Sequence, residues 1–404
     1  MRLVIIGAGA AGLSALKAIR EIDSSSEVTV VKKESVPPYS LSSLPFSLAG
    51  EIKDEKMSRF DDDYFQVMNA NVVVGRANGI LTDAKKVILD GGRKIGYDKL
   101  LIASGSSAIM PRIDGLEKDG VHTMGSLSDT FELREAAKYA DRIVVIGAGF
   151  VGLEAAIALR KLGKEIVVVE MLERVLPRML DTDMAAIAQK MLESNGIEIR
   201  LGDQVKEVLG DKKATGVKLG KGEIKCDLVV IGIGVRPNIE IVKGTPVKTN
   251  MGVVVDDTMQ TTVADIYAAG DIVETLDPLL GKTRIAAIWP NAIEQGRVAG
   301  RNMAGAETHY PGPLSVNVIN IFDVPVVALG LMSSDVEGAE SIVVNRGGNT
   351  RKLIIKDDKA IGVQSIGYVR NLGFLLVLIN KGEKLGELRD RVLDERFAYP
   401  VATR

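Results

Sequence analysis

The sequence predicts an α/β fold: two dinucleotide-binding βαβ modules followed by a C-terminal α+β domain. Three observations carry this reading. A glycine-rich turn, GAGAAG, follows a short apolar run at the start of the chain. A second such turn, GAGFVG, follows another apolar run and begins at Gly147. From residue 313 the pattern changes to closely spaced apolar segments and a final helical stretch.

The chain has 404 residues, enough for two or three domains with sizeable cores. Its hydrophobic and charged fractions, 46% and 26%, are those of a globular protein. A net charge of −2 gives no electrostatic case for nucleic acid or an anionic membrane as partner. Cys226 is the sole cysteine, which rules out an intrachain disulfide, a CxxC redox pair and a cluster held by four cysteines of this chain. It precedes the apolar run DLVVIG and reads as a small packing residue. The start of the chain reads as a strand rather than a signal peptide, and no apolar run reaches the ~20 residues of a membrane span. Scarce cysteine fits a reducing cytoplasm. There is no HExxH, Cys/His cluster or EF-hand pattern, so no metal site is expected.

Residues 2–6, RLVII, read as a buried parallel strand stopped by glycine. AAGLSALKAIREI then reads as a helix and EVTVV (27–31) as the next strand, giving a βαβ unit. YDKLLIASGSSAIMPRIDG (97–115) supplies a strand, a Gly/Ser turn and a proline-containing exit. The βαβ pattern then repeats: RIVVI (142–146), the second glycine turn, the helix LEAAIALRKLG and EIVVVE (165–170). CDLVVIGIGVRPN (226–238) and VADIYAAGD (263–271) each end a strand in a glycine turn. PVVALG, SIVVN, KLIIK and AIGVQSIG are strand candidates of the last domain. The expected domains are residues 1–110 with 248–312, residues 111–247, and residues 313–404.

In each strand–turn–helix context the glycines have separate roles. Gly7 and Gly147 permit the tight turn. Gly9 and Gly149 let the backbone approach a pyrophosphate. Gly12 and Gly152 let helix and strand pack closely. The helix N-terminus then favours the phosphates. A ribose-binding acid should close the second strand of each module. Glu170 does so in the second and favours NADH over NADPH, with Arg174 close by in sequence. In the first, Lys32 holds that place. Glu34 then either takes the ribose role or is an exposed loop carboxylate; Lys33 either reaches the adenosine side or is solvated. Two such Rossmann-like modules imply two dinucleotides, and the simplest chemistry between them is hydride transfer from nicotinamide to flavin.

The ordered set of motifs resembles the pyridine nucleotide–disulfide oxidoreductases, flavoproteins with two dinucleotide sites, over about residues 1–310. LLIASGS, with Ser104 and Gly105, is similar to the second flavin motif, with serine where threonine is usual. IGIGVRPN resembles the motif that closes the NAD domain. IYAAGD resembles the signature whose aspartate bonds the ribityl chain, which assigns that role to Asp271. WPNAIEQGRVAGRNMAG (289–305) resembles the helix that approaches the flavin ring. Glu154 in GLEAA matches a glutamate on the nicotinamide side, with an ordinary helix carboxylate as the alternative.

Within this family the chain looks nearest to NADH oxidases, coenzyme A-disulfide reductases and the flavin modules of rubredoxin and nitrite reductases. Their redox cysteine lies in a loop resembling Tyr-Ser-x-Cys-x-Leu-Pro-Tyr. Here the loop is PPYSLSSLPFSLAGE, and Ser42 stands where the cysteine would be. A hydroxyl cannot replace a thiolate in disulfide or peroxide reduction. Oxidase and peroxidase relatives carry a histidine in the first glycine turn; this chain has Ala10. Its two histidines, His122 and His309, lie outside the motifs and read as surface or structural residues. Tyr39 and Phe46 either pack near the flavin or anchor the loop.

The resemblance therefore implies FAD and NADH as cofactors. The leading expectation is an oxidoreductase that passes electrons to a rubredoxin- or ferredoxin-like carrier or to an iron–sulfur partner subunit. The segment IGYVRNLGFLLVLINKGEKLGELRD is similar to the tail of nitrite- and rubredoxin-reductase modules, or is a simple packing helix; a homodimer stays open. Two other readings remain: a coenzyme A-disulfide or persulfide reductase whose cysteine has been replaced by Ser42, and an NADH-sensing or assembly subunit without turnover.

Overall fold

The structure is a computed structural model that describes residues 1–58, 60–61, 63–389 and 391–393; the end of the expected C-terminal domain, residues 394–404, lies outside the described residues. Contacts divide the chain into two compact units. The first comprises Met1–Ser43, Ile52–Ser107 and Val235–Leu314; the second comprises Leu44–Glu51, Ala108–Gly234 and the chain from Ser315 onward.

The first unit is built on a five-stranded parallel sheet ordered Ile266–Ala268, Lys99–Ile102, Arg2–Ile6, Glu27–Lys32, Ala70–Val74. The central strands are runs of β-branched and leucine residues because both faces are covered. The pleat sends Leu3, Ile5, Val28, Val30 and Leu101 to one core and Val4, Ile6, Val31, Leu100 and Ile102 to the other. The helix Ala10–Arg20 lies on the first face with the helix Trp289–Met303 against it. Gly296 and Gly300 make that approach feasible: a Cβ there would stand 2.1 Å from the Ala11 carbonyl oxygen and 2.4 Å from that of Ala15. The Ser14 hydroxyl ties the pair by donating to the Ile293 carbonyl at 2.7 Å.

The second unit repeats the design. Its parallel sheet is ordered Ile197–Arg200, Glu165–Val169, Arg142–Ile146, Leu228–Ile231, Val121–Thr123. The helix Phe150–Lys161 follows the glycine turn. A five-stranded antiparallel sheet completes the unit, ordered Val316–Ile321, Val324–Gly330, Lys359–Ile366, Asn349–Lys356, Glu340–Arg346. Each apolar segment expected to be a strand after residue 312 lies in this sheet, and the expected helix spans Leu372–Lys381. A buried polar cluster joins the parallel and antiparallel parts. Lys352 ion-pairs with Asp181 at 3.0 Å and Asp183 at 2.9 Å, the Ser333 hydroxyl donates to Asp181, and the Asp181 N–H donates to Gln364. Among the described residues no helix is long and apolar enough to cross a membrane.

Candidate dinucleotide sites

Both glycine turns leave the end of a central strand, where the strand order reverses direction and leaves a crevice. The turns are nearly superimposable in bonding. The Gly7 N–H donates to the Val31 carbonyl and the Gly147 N–H to the Val169 carbonyl, each at 2.8 Å. Gly7 and Gly147 have φ of +110° and +104°, and a Cβ on either would collide with a carbonyl, that of Ala103 or Gly232. Gly12 and Gly152 are as constrained: a Cβ would lie 1.9 Å and 2.0 Å from the carbonyl oxygens of Gly7 and Gly147. Gly9 and Gly149 differ, since nothing lies within 4 Å of the Cβ each lacks. The middle glycine of each turn therefore faces open space at a helix N-terminus, where N–H groups lack intrahelical acceptors.

The two turns diverge after the second strand. Glu170 follows Val169, and its two carboxylate oxygens accept the N–H groups of Ala148 at 2.7 Å and Leu172 at 2.9 Å. Arg174 turns to the Pro177 carbonyl at 3.1 Å. In the first turn Lys32 follows Val31, and its ammonium donates to the Val36 carbonyl at 2.9 Å. Lys33 is exposed; Glu34 is half-buried and accepts the Tyr39 hydroxyl at 2.9 Å.

The first unit brings Ser104, Gly105 and Asp271 to the same end of its sheet as Gly7. The Ala103 N–H bonds the Ile6 carbonyl, and a Cβ on Gly270 would stand 3.1 Å from that of Ala11. Asp271 accepts the Ser106 hydroxyl at 2.8 Å; burial raises its pKa and that bond opposes the shift. The Ser104 hydroxyl is buried without a hydrogen-bond partner among the described residues. This orphaned hydroxyl and the open face of Gly9 fit a bound dinucleotide, as the open face of Gly149 does in the second unit. Three supporting side chains had no role in the sequence reading. Asn238 donates to the Ser104 carbonyl at 2.8 Å and accepts the Ser107 hydroxyl at 2.7 Å, and buried Gln295 accepts the Gly270 N–H at 2.9 Å. Asn238, Gln295 and Ser106 all sit inside recognised motifs; what the motifs do not give is the partner, which for Ser106 is 165 residues away.

Ser42 is exposed in the single turn Leu41–Ser43, in the first unit. Phe46, in the second unit, is also exposed. Glu154 is half-buried on the helix Phe150–Lys161, with no hydrogen-bond or ion-pair partner among the described residues, and burial lifts its carboxyl to about 7. Cys226 is packed among Val144, Val217 and Val229, and burial pushes its thiol to about 11. His122 lies in the edge strand Val121–Thr123, and exposed His309 pairs with Asp257 at 3.0 Å.

A model of the family described as pyridine nucleotide-disulphide oxidoreductase matches residues 1–296. An NADH oxidase of Methanocaldococcus jannaschii is 33% identical, over 91% of this chain and 88% of its own. The epsilon subunit of an NADH-dependent phenylglyoxylate dehydrogenase of Aromatoleum evansii is 31% identical, over 99% and 96%. Among solved structures, an NAD-dependent persulfide reductase from A. fulgidus matches with a TM-score of 0.91 and 30% identity, covering 99% of this chain and 80% of that one.

Proposed function

The chain belongs to the pyridine nucleotide-disulphide oxidoreductase family, and from that membership we propose that it exchanges electrons between NADH and a one-electron carrier or an iron–sulfur partner subunit. It is an FAD-dependent NAD(P)H oxidoreductase. Bound FAD would supply a hydride acceptor for NADH and a donor of single electrons. The Gly7–Gly12 turn, Ser104, Gly105 and Asp271 would hold FAD; the Gly147–Gly152 turn and Glu170 would hold NADH. In this reading residues 1–110 and 248–312 form the FAD domain, 111–247 the NAD domain and 313–404 an interface domain, in a cytoplasmic protein.

The carrying observation is the lack of a reactive thiol. Serine occupies position 42, and the sole cysteine is buried with its thiol held far from ionisation at neutral pH. Electrons have no disulfide relay within this chain and must leave by direct transfer. The near full-length similarity to the epsilon subunit of an NADH-dependent phenylglyoxylate dehydrogenase supports a protein acceptor. The test is anaerobic. NADH should bleach the flavin absorbance, and added ferredoxin or rubredoxin should restore it with turnover. A flavin that stays reduced with every carrier sinks the reading.

The likeness to a persulfide reductase supports a second reading, in which Ser42 stands in for a redox cysteine. A Ser42→Cys variant should then gain NADH-dependent reduction of coenzyme A disulfide or persulfide. A variant with no such activity removes this alternative.

A further inference from the structure

We propose that the carboxylate that binds the adenosine ribose of FAD has moved from the strand end to Glu34, and that Tyr39 is the residue that positions it. The inference rests on the FAD reading of the first unit and goes beyond it.

The two βαβ modules of the chain provide the comparison. The matching bonds from Gly7 to Val31 and from Gly147 to Val169 make Lys32 the counterpart of Glu170 and Ala8 the counterpart of Ala148. The Ala148 N–H donates to Glu170, whereas the Ala8 N–H makes no hydrogen bond among the described residues. The first module therefore lacks an acid at the strand end and leaves the facing amide open. Lys32 cannot supply an acceptor, and its ammonium is used within the loop. It donates to the carbonyls of Val36 at 2.9 Å and Ser35 at 3.4 Å, which folds residues 33–36 back over the end of their own strand.

Glu34 sits in that folded loop. One carboxylate oxygen accepts the Tyr39 hydroxyl at 2.9 Å; the other accepts no hydrogen bond among the described residues. The Lys32 ammonium adds a favourable charge: burial lowers the lysine's pKa while the Glu34 charge raises it. The result is a half-buried, oriented carboxylate with one oxygen free for two ribose hydroxyls. Tyr39 is fixed in turn. Its backbone pairs with Ser58 in an antiparallel bridge, and the Ser58 hydroxyl donates to the Pro38 carbonyl at 3.0 Å. The tyrosine of the Ser42 loop thus serves the adenosine end of the flavin site.

The experiment measures release of FAD from the purified holoprotein by the recovery of flavin fluorescence on dilution. Glu34→Gln should speed release about tenfold, the worth of a charged hydrogen bond. Tyr39→Phe should speed it by a smaller factor. The double variant should match Glu34→Gln alone, because Tyr39 acts through Glu34. Lys32→Glu placed in the Glu34→Gln background should slow release again by restoring an acid where Glu170 stands in the second module. Unchanged release in Glu34→Gln overturns the proposal, as do effects that multiply in the double variant. A purified chain that neither contains nor takes up FAD overturns the FAD reading and this proposal together, whereas normal flavin content with unchanged release overturns this proposal alone.

Discussion

Glu170 accepts the backbone N–H of Ala148 at 2.7 Å, so the carboxylate is oriented by the glycine turn it serves. A second amide, that of Leu172, holds its other oxygen at 2.9 Å. The acid and the turn form one hydrogen-bonded element, and in the proposed NADH site ribose hydroxyls would meet lone pairs that are already aimed.

Replacing Glu170 by glutamine keeps the shape and removes the charge. We expect the NADH concentration for half-maximal flavin reduction to rise about tenfold, with discrimination against NADPH reduced. Stopped-flow flavin bleaching with each nucleotide reads both. Unchanged values would remove Glu170 from the nucleotide site.

The glycines of one turn should fail in different ways. Gly12→Ala places a methyl 1.9 Å from the Gly7 carbonyl oxygen and should leave the chain unfolded or strongly destabilised. Gly9 has φ −83° and open space at its Cβ position, so Gly9→Ala should melt within about 1 kcal/mol of the parent. Its loss should be of flavin, read as the ratio of visible to ultraviolet absorbance. Normal flavin content in Gly9→Ala would contradict a close pyrophosphate.

Glu154 gives a signed pH dependence. Burial raises its carboxyl to about 7 in the folded chain, against about 4.3 unfolded. Below the unfolded value both states are protonated and the group is neutral to stability. Between the two values only the unfolded state loses its proton, so stability falls as pH rises, by on the order of 3 kcal/mol, and is constant above. Glu154→Gln should flatten the melting temperature of the flavin-loaded chain between those values. A profile that keeps its slope in the variant assigns the loss to other groups.

Lys352 and Asp181 form a buried pair, their side chains 7% and 8% exposed. Lys352→Met strands the Asp181 charge and should destabilise the second unit by about 3 kcal/mol. Adding Asp181→Asn should recover part of that loss, because the remaining group is neutral. Denaturant titration of both variants checks the order. A double variant less stable than Lys352→Met would show that the Asp181 carboxylate is held chiefly by Ser333.

Much of the fold is local and therefore legible in the chain. RLVII and RIVVI are strands because short apolar runs ended by glycine have few other uses, and the spacing of Gly7, Gly9 and Gly12 carries three steric demands that a linear pattern can express. The apolar alternation after residue 312 likewise gave the strands of the antiparallel sheet. Long-range polar partners are not legible in this way. Ser106 is an ordinary serine until it meets Asp271, and Asn238 gains its place only by bonding the turn at Ser104. The packing of Gly296 and Gly300 on Ala11 and Ala15 also needs two helices far apart in the chain, Ala10–Arg20 and Trp289–Met303.

The sequence by itself determined the doubled nucleotide-binding design, the lack of a thiol at position 42 and the acid at Glu170, because these depend on residue type and local spacing. Tertiary structure alone decided which groups are buried and what they touch. It raised Glu154 toward neutrality, closed Cys226 away from chemistry, and turned Tyr39 to Glu34. Desolvation and hydrogen-bond geometry are set by the surroundings of a side chain, and those surroundings come from segments far apart in the chain.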